Sequence, residues 1–159
     1  MTEPRWLSAD ELRAWRLLSA LLLTLPCQLE DTLQPHGLTF FEYSMMAGLS
    51  SSPDWTRPMG ELAQIANGSL SRLSHAARRL ESRGWVRRCR STEDGRVTLA
   101  TLTDEGHALL VAVAPDHVES VRKAVFDVLG PGQVSQLYEI AAAIVGNILP
   151  GVPAAWDDV

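Results

Sequence analysis

The sequence predicts a mainly α (α+β) chain, in which a winged helix-turn-helix domain is carried on a helical dimerisation platform built from the N- and C-terminal helices. Three observations predict this. Between residues 60 and 106, two short amphipathic helical stretches precede two strand-like runs that flank a charged turn. Arginines gather in that stretch, while the rest of the chain is acidic. The helical stretches at both ends carry more apolar surface than 159 residues can cover by themselves.

Residues 1–7 read as a loose arm, with Trp6 and Leu7 as anchors. Ser8 and Glu11 form a capping box that opens the first helix. Leu12, Trp15, Leu18, Leu22, Leu25 and Leu29 follow along it, and residues 17–23 are apolar on nearly every side. Pro26 bends this helix without ending it. A break at residues 34–38 leads to a second capping box, Thr39 with Glu42, and a helix to about Ser50. Residues 57–59 read as a short strand for the later hairpin to pair with.

Next come a short helix from Glu61 to Ala66, a break at Asn67-Gly68, and a second helix over about 70–83. Ser69 stands where an N-cap belongs, and Gly84 suits the left-handed residue that closes a helix. A wing over about 85–102 turns at residues 91–96. Thr103 caps a long helix with Asp104 and Glu105 in its first turn, a kink near Pro115 and an apolar face reaching Leu129. Gly130-Pro131-Gly132 breaks the chain, and Pro131 suits the first position of the last helix. That helix carries Val134, Leu137, Ile140, Ile144 and Ile148 as an apolar stripe. The expected organisation is an N-terminal platform helix (1–35), the winged domain (36–103), C-terminal platform helices (104–150) and a tail (151–159).

The second short helix has two chemically different faces. Leu73, Ala77 and Leu80 recur at helical spacing and face inward, leaving Ser71, Arg72, Ser74, His75, Arg78 and Arg79 outside. Hydroxyls and guanidinium groups are the side chains that meet base edges and phosphates in a major groove. The whole chain carries a formal charge of −5. Residues 69–96 hold eight arginines against Glu81, Glu93 and Asp94, so this block is +5 and the remainder −10. Steering toward phosphate depends on such a local field and not on net charge. The bland alternative is a solvated, salt-bridged helix face with no partner.

The ordered motifs of this stretch resemble the DNA-binding domain of the MarR family of transcriptional regulators. They are Glu61-Leu62-Ala63, Asn67-Gly68-Ser69, Leu80-Glu81-Ser82-Arg83-Gly84, Val86-Arg87-Arg88, Asp94-Gly95-Arg96 and Leu102-Thr103-Asp104-Glu105-Gly106. The resemblance implies a dimeric, sequence-specific regulator that reads double-stranded operator DNA, a ligand-responsive repressor; no cofactor is assigned. Two recognition helices related by a two-fold axis would read a near-palindromic operator. It implies a DNA-binding set of Ser69, Ser71, Arg72, Ser74, His75, Arg78, Arg79, Arg88, Asp94 and Arg96, with Asp94 bracing Arg96 for the minor groove. It also implies a pocket for a small aromatic or apolar effector between platform and DNA-binding domain, for which Trp15, His36, Phe40, Tyr43, Met46 and Trp55 are the candidates. The same six residues also suit plain core. Two departures stand out. Ser74-His75 replace a Thr-Arg pair common in the family, which removes a bidentate guanine reader. Gly95 replaces a second wing arginine.

Other chemistries find less support. No Walker loop, Gly-x-Gly-x-x-Gly, His-Glu-x-x-His or Gly-x-Ser-x-Gly motif occurs, and no carboxylate is placed to orient His75, so no catalytic residues are assigned. His36, His75, His107 and His117 form no ligand pair at helical spacing, although His107 with Asp104 or His117 with Asp116 could join a site across a dimer; no metal is assigned. Cys27 lies in the leucine run; Cys89, between Arg88 and Arg90, reads as a small buried strand residue. A thiol-based, redox-responsive regulator and a winged-helix protein-interaction module are the alternative readings. Two distant cysteines, no signal peptide and no apolar run long enough to span a bilayer predict a cytoplasmic protein without membrane contact.

Overall fold

The computed structural model describes residues 3–65 and 70–149. Helix α1 spans Ala9–Leu33 and α2 Phe40–Ser50. Strand β1 is Thr56–Pro58, followed by α3, Met59–Ile65, and α4, Leu70–Ser82. Strands β2, Val86–Arg90, and β3, Thr98–Leu102, form the hairpin. Helix α5 is Asp104–Ala124 and α6 is Gln133–Ile148. The sheet is antiparallel with the order β1-β3-β2. Ala100 of β3 therefore sits between Arg57 on one side and Arg88 on the other.

Both expected capping boxes form. Ser8 and Glu11 exchange side-chain and backbone hydrogen bonds at the start of α1, as Thr39 and Glu42 do at the start of α2. A second carboxylate, Glu30 of α1, accepts the Phe40 amide at 3.2 Å, so α1 itself holds the first turn of α2. Helix α1 runs through Pro26 and α5 through Pro115. The short strand pairs with the hairpin as expected, one residue earlier in the chain, because Met59 is buried as the first residue of α3.

Helix α4 ends in a Schellman motif. The Trp85 amide donates to the Leu80 carbonyl at 3.0 Å and the Gly84 amide to that of Glu81 at 3.0 Å, with Gly84 at φ +77°. Thr103 then ties this end to α5. Its hydroxyl donates to the Gly84 carbonyl at 2.7 Å and accepts the Gly106 amide at 3.0 Å. A Cβ at position 106 would lie 2.1 Å from the Trp85 carbonyl oxygen, so this close approach admits only glycine.

Two boundaries differ from the sequence reading. Helix α5 stops at Ala124 and a 3-10 turn, Phe126–Val128, follows, so Leu129 lies outside it. Helix α6 is capped by Gly132 at φ +82° and begins at Gln133, leaving Pro131 in the preceding turn. Two glycines around Pro131 let the chain reverse before the helix starts.

The core joins the end of α1, α2, α3, one face of α4, the sheet and the first half of α5. Leu33, Met46, Leu49, Leu62, Leu73 and Val113 are fully enclosed in it. Helix α1 packs along α5, so the N- and C-terminal helices are in contact. Helix α6 has no buried residue. Leu137, Ile140, Ile144 and Ile148 lie exposed along it, as do Leu17, Leu21, Leu22 and Leu23 on α1. No helix of the described residues is long and apolar enough to cross a membrane.

Candidate nucleic-acid interface

Helix α4 is amphipathic in the expected sense. Leu73, Ala77 and Leu80 are buried, joined by Ala76. At about 100° per residue, Ser71, His75, Arg78 and Ser82 point directly away from them, and all four are exposed. Ser74 lies at the margin, half-buried. Ser69 and the Asn67-Gly68 break fall outside the described residues.

A third stripe was not legible as such. Arg72, Arg79 and Arg83 are spaced i, i+7, i+11 and so share one flank of α4. All three touch α2 or the turn before it. The Arg72 guanidinium lies 4.5 Å from the Phe41 ring centroid. Arg79 donates from Nε and Nη2 to Glu42 Oε1 at 2.8 and 2.7 Å. Arg83 donates to the Gly37 carbonyl and also stacks on Trp85 at 4.9 Å. Glu42 is 2% exposed, and its other oxygen accepts the amide and hydroxyl of Thr39 at 2.9 and 3.0 Å. Sequence reasoning saw Glu42 only as a capping residue and passed over Arg83 and Phe41. The 7- and 11-residue spacing of the arginines was the available signal.

The wing is held by its own side chains. Ser91 Oγ accepts the amides of Glu93 and Asp94 at 3.2 and 3.3 Å. Asp94 Oδ1 accepts the Arg96 amide at 2.9 Å, so this carboxylate meets the Arg96 backbone. Arg90 closes the turn by donating to the Gly95 carbonyl at 2.6 Å, a role the sequence did not suggest. The Arg96 side chain is exposed at the tip. Arg88 is engaged elsewhere. Its guanidinium donates to Glu81 Oε2 at 3.0 and 2.6 Å and its amide to Glu81 Oε1 at 3.2 Å. These three bonds tie β2 to α4, and the Arg88 side-chain hydrogen bond holds the Glu81 carboxyl below its ordinary pKa.

The six candidate pocket residues are dispersed. Met46 is wholly within the core and Trp15 is exposed on α1. Phe40 and Tyr43 both meet His117, with ring centroids 6.2 and 4.3 Å apart. Burial there lowers the His117 pKa, and Nδ1 has no hydrogen-bond partner among the described residues. Trp55, at φ +52°, stacks on His107 at 4.1 Å. His36 faces Asp116 at 3.5 Å in an open groove of about 470 Å³ between α1 and α5, which takes in none of the other five. No cluster of three or more metal-ligating side chains occurs among the described residues. Cys89 is exposed, contrary to the buried strand position expected of it, because it falls on the open side of β2. Cys27 is also exposed.

Comparison with known proteins agrees with this geometry. The family model described as transcriptional regulator SarA/Rot matches residues 29–113. The HTH-type transcriptional regulator PecS of Dickeya dadantii (strain 3937) is 33% identical over 119 residues, which cover 72% of this chain and 67% of PecS. Sco3205, a MarR family transcriptional regulator from Streptomyces coelicolor whose crystal structure is in complex with DNA, is 41% identical. It aligns over 95% of both chains with a TM-score of 0.87. AbsC, a MarR family regulator from the same organism, is 37% identical over 91% of this chain and 98% of its own, with a TM-score of 0.83. The family is one of regulators and not of enzymes. With its amphipathic helix α4, three-stranded wing and terminal helices in contact, the chain belongs to the MarR family of winged-helix transcriptional regulators.

Proposed function

We propose that this regulator binds near-palindromic duplex DNA as a homodimer and acts as a ligand-responsive repressor. The observation that carries the DNA reading is the exposed row Ser71, His75, Arg78 and Ser82, opposite the buried face of α4 and beside a wing that presents Arg96. The DNA complex of the 41% identical relative Sco3205 supports it. In this reading α4 enters the major groove, Arg78 and His75 meet bases or phosphates, and Arg96 reaches into the flanking minor groove. Arg72, Arg79 and Arg88, with partners inside the protein, contribute mainly to posture.

The exposed apolar rows of α6 and α1 support the dimer. A second copy would cover both, as contiguous apolar patches of this kind mark interaction surfaces. The effector remains a matter of population shift. A ligand need only favour a spacing of the two recognition helices that does not match the operator. The groove holding His36 lies between α1 and α5, and the aromatic cluster around His117 takes in Phe40 at the start of α2.

The test is a fluorescence anisotropy titration of purified protein with duplex DNA at a series of salt concentrations. Binding that weakens steeply with salt supports the reading, and a reduced slope for Arg96→Ala and Arg78→Ala assigns the contacts. Absence of binding in dilute buffer would favour a winged helix that docks protein. Exposure of both cysteines favours one addition, thiol control. It requires oxidation to abolish binding, and a Cys27→Ser, Cys89→Ser variant to resist.

A further inference from the structure

The α2 side of α4 is built unlike the rest of its surface. A carboxylate buried in a protein is costly unless each oxygen is satisfied. Glu42 divides its two oxygens between two elements: Oε2 holds the first turn of its own helix through Thr39, and Oε1 holds Arg79 of the recognition helix. One turn further on, just past the end of α4, Arg83 reaches the Gly37 carbonyl in the turn that precedes α2. Substitution of Gly37 would be strained by its φ of +72°, and an added Cβ would push aside the Arg83 guanidinium, 2.9 Å away. Segment 37–42 therefore grips α4 at two points along one flank. Hydrophobic contacts alone would let α4 roll slightly about its axis. Two guanidinium nitrogens converging on one buried carboxylate oxygen, with a second anchor at Arg83, restrain both roll and height.

We propose that Glu42 is the positioning residue of the recognition helix, and that Arg79 is its strut and makes no contact with DNA phosphate. This rests on the DNA-binding reading above. It goes further by separating Arg78, a reader, from Arg79 and from Arg83 just past the helix end, which are struts, although Arg78 and Arg79 are adjacent and both exposed. Losing the strut changes where Ser71, His75 and Arg78 fall relative to base edges. The number of phosphates neutralised stays the same.

The experiment compares Glu42→Gln, Arg79→Gln, their double variant and Arg78→Gln with the parent protein. Two probes are used: a duplex recovered by selection from a randomised library, and random-sequence duplex, each titrated at several salt concentrations. Arg79→Gln and Glu42→Gln are each expected to weaken binding of the selected duplex roughly 2- to 30-fold. Affinity for random duplex and the salt slope are expected to be unchanged. The double variant is expected to lose no more than either single one, since both remove the same link. Arg78→Gln is expected to lower the slope by about 0.9, one phosphate contact. Arg79 has an exposed side chain, so its variant keeps the test decisive should Glu42→Gln fail to fold. A slope reduced by about 0.9 in Arg79→Gln, losses that add in the double variant, or unchanged affinity for the selected duplex would overturn the assignment while leaving DNA binding intact. A parent protein that binds neither duplex would overturn both.

Discussion

The region around α2, α3, α4 and the sheet completes its core within one chain, whereas α6 completes nothing. Both are rich in aliphatic side chains. In the first, Leu49, Leu62 and Leu73 are fully enclosed. In the second, Leu137 is 37% exposed and Ile144 39%, on a helix without a single buried residue. The difference teaches where the chain's stability is self-sufficient. The winged region closes its core without a second copy, because Leu33 of α1 and Leu110 and Val113 of α5 complete it within the same chain. The α6 stripe gains from the hydrophobic effect only when something covers it.

The sharpest way to break this comparison is in α6. Leu137→Glu with Ile144→Glu is expected to weaken self-association by at least about 4 kcal/mol, roughly a thousandfold, measured by sedimentation equilibrium. Operator binding should fall with it, while the melting of the winged region persists. Retained self-association would place the partner surface elsewhere. Next in size, Leu49→Ala is expected to destabilise the closed core by about 2–5 kcal/mol in denaturant unfolding. Ile140→Ala, on the open surface, should cost under about 0.5 kcal/mol at concentrations where the chain is dissociated. Equal costs at the two sites would erase the contrast.

Smaller still is the wing. Arg96→Ala is expected to weaken duplex binding about equally across sequences and to reduce the salt slope by about 0.9 in a mobility-shift titration, without a change in stability. The smallest effect concerns pH. Burial against Phe40 and Tyr43 disfavours the charged form of His117 and lowers its pKa in the folded protein. The unfolded chain takes up this proton near pH 6.5 while the folded chain does not. Stability is therefore fullest above about pH 6.5 and declines as pH falls below it, levelling off beneath the folded pKa. His117→Phe should flatten thermal stability across that window, and an unchanged pH profile would remove this histidine from the explanation.

Local signals were the legible part of the sequence. The boxes at Ser8 and Thr39, the Schellman glycine Gly84 and the Thr103 cap each depend on residues within a few positions, and each forms. Helix α6 starts after Gly132 and not at Pro131, because both residues carry boundary signals and only the backbone decides between them. The interface was half legible. Periodicity identified the inward face of α4 correctly. It could not separate a guanidinium facing solvent from one facing α2, because the partner of Arg79 lies 37 residues earlier. The same holds for Arg88, paired with Glu81 across the end of α4. The pocket candidates suit flat apolar ligands through their aromatic rings, but aromatic and apolar residues serve a core equally well, as the fully buried Met46 does.

One measurement bears most directly on the claim that a self-contained reading unit is mounted twice on a shared helical surface. Selection of bound duplexes from a randomised library should enrich a near-palindrome whose half-sites are centred about one helical turn apart, roughly 10–10.5 base pairs. Enrichment of a lone half-site, or of no sequence at all, would contradict it.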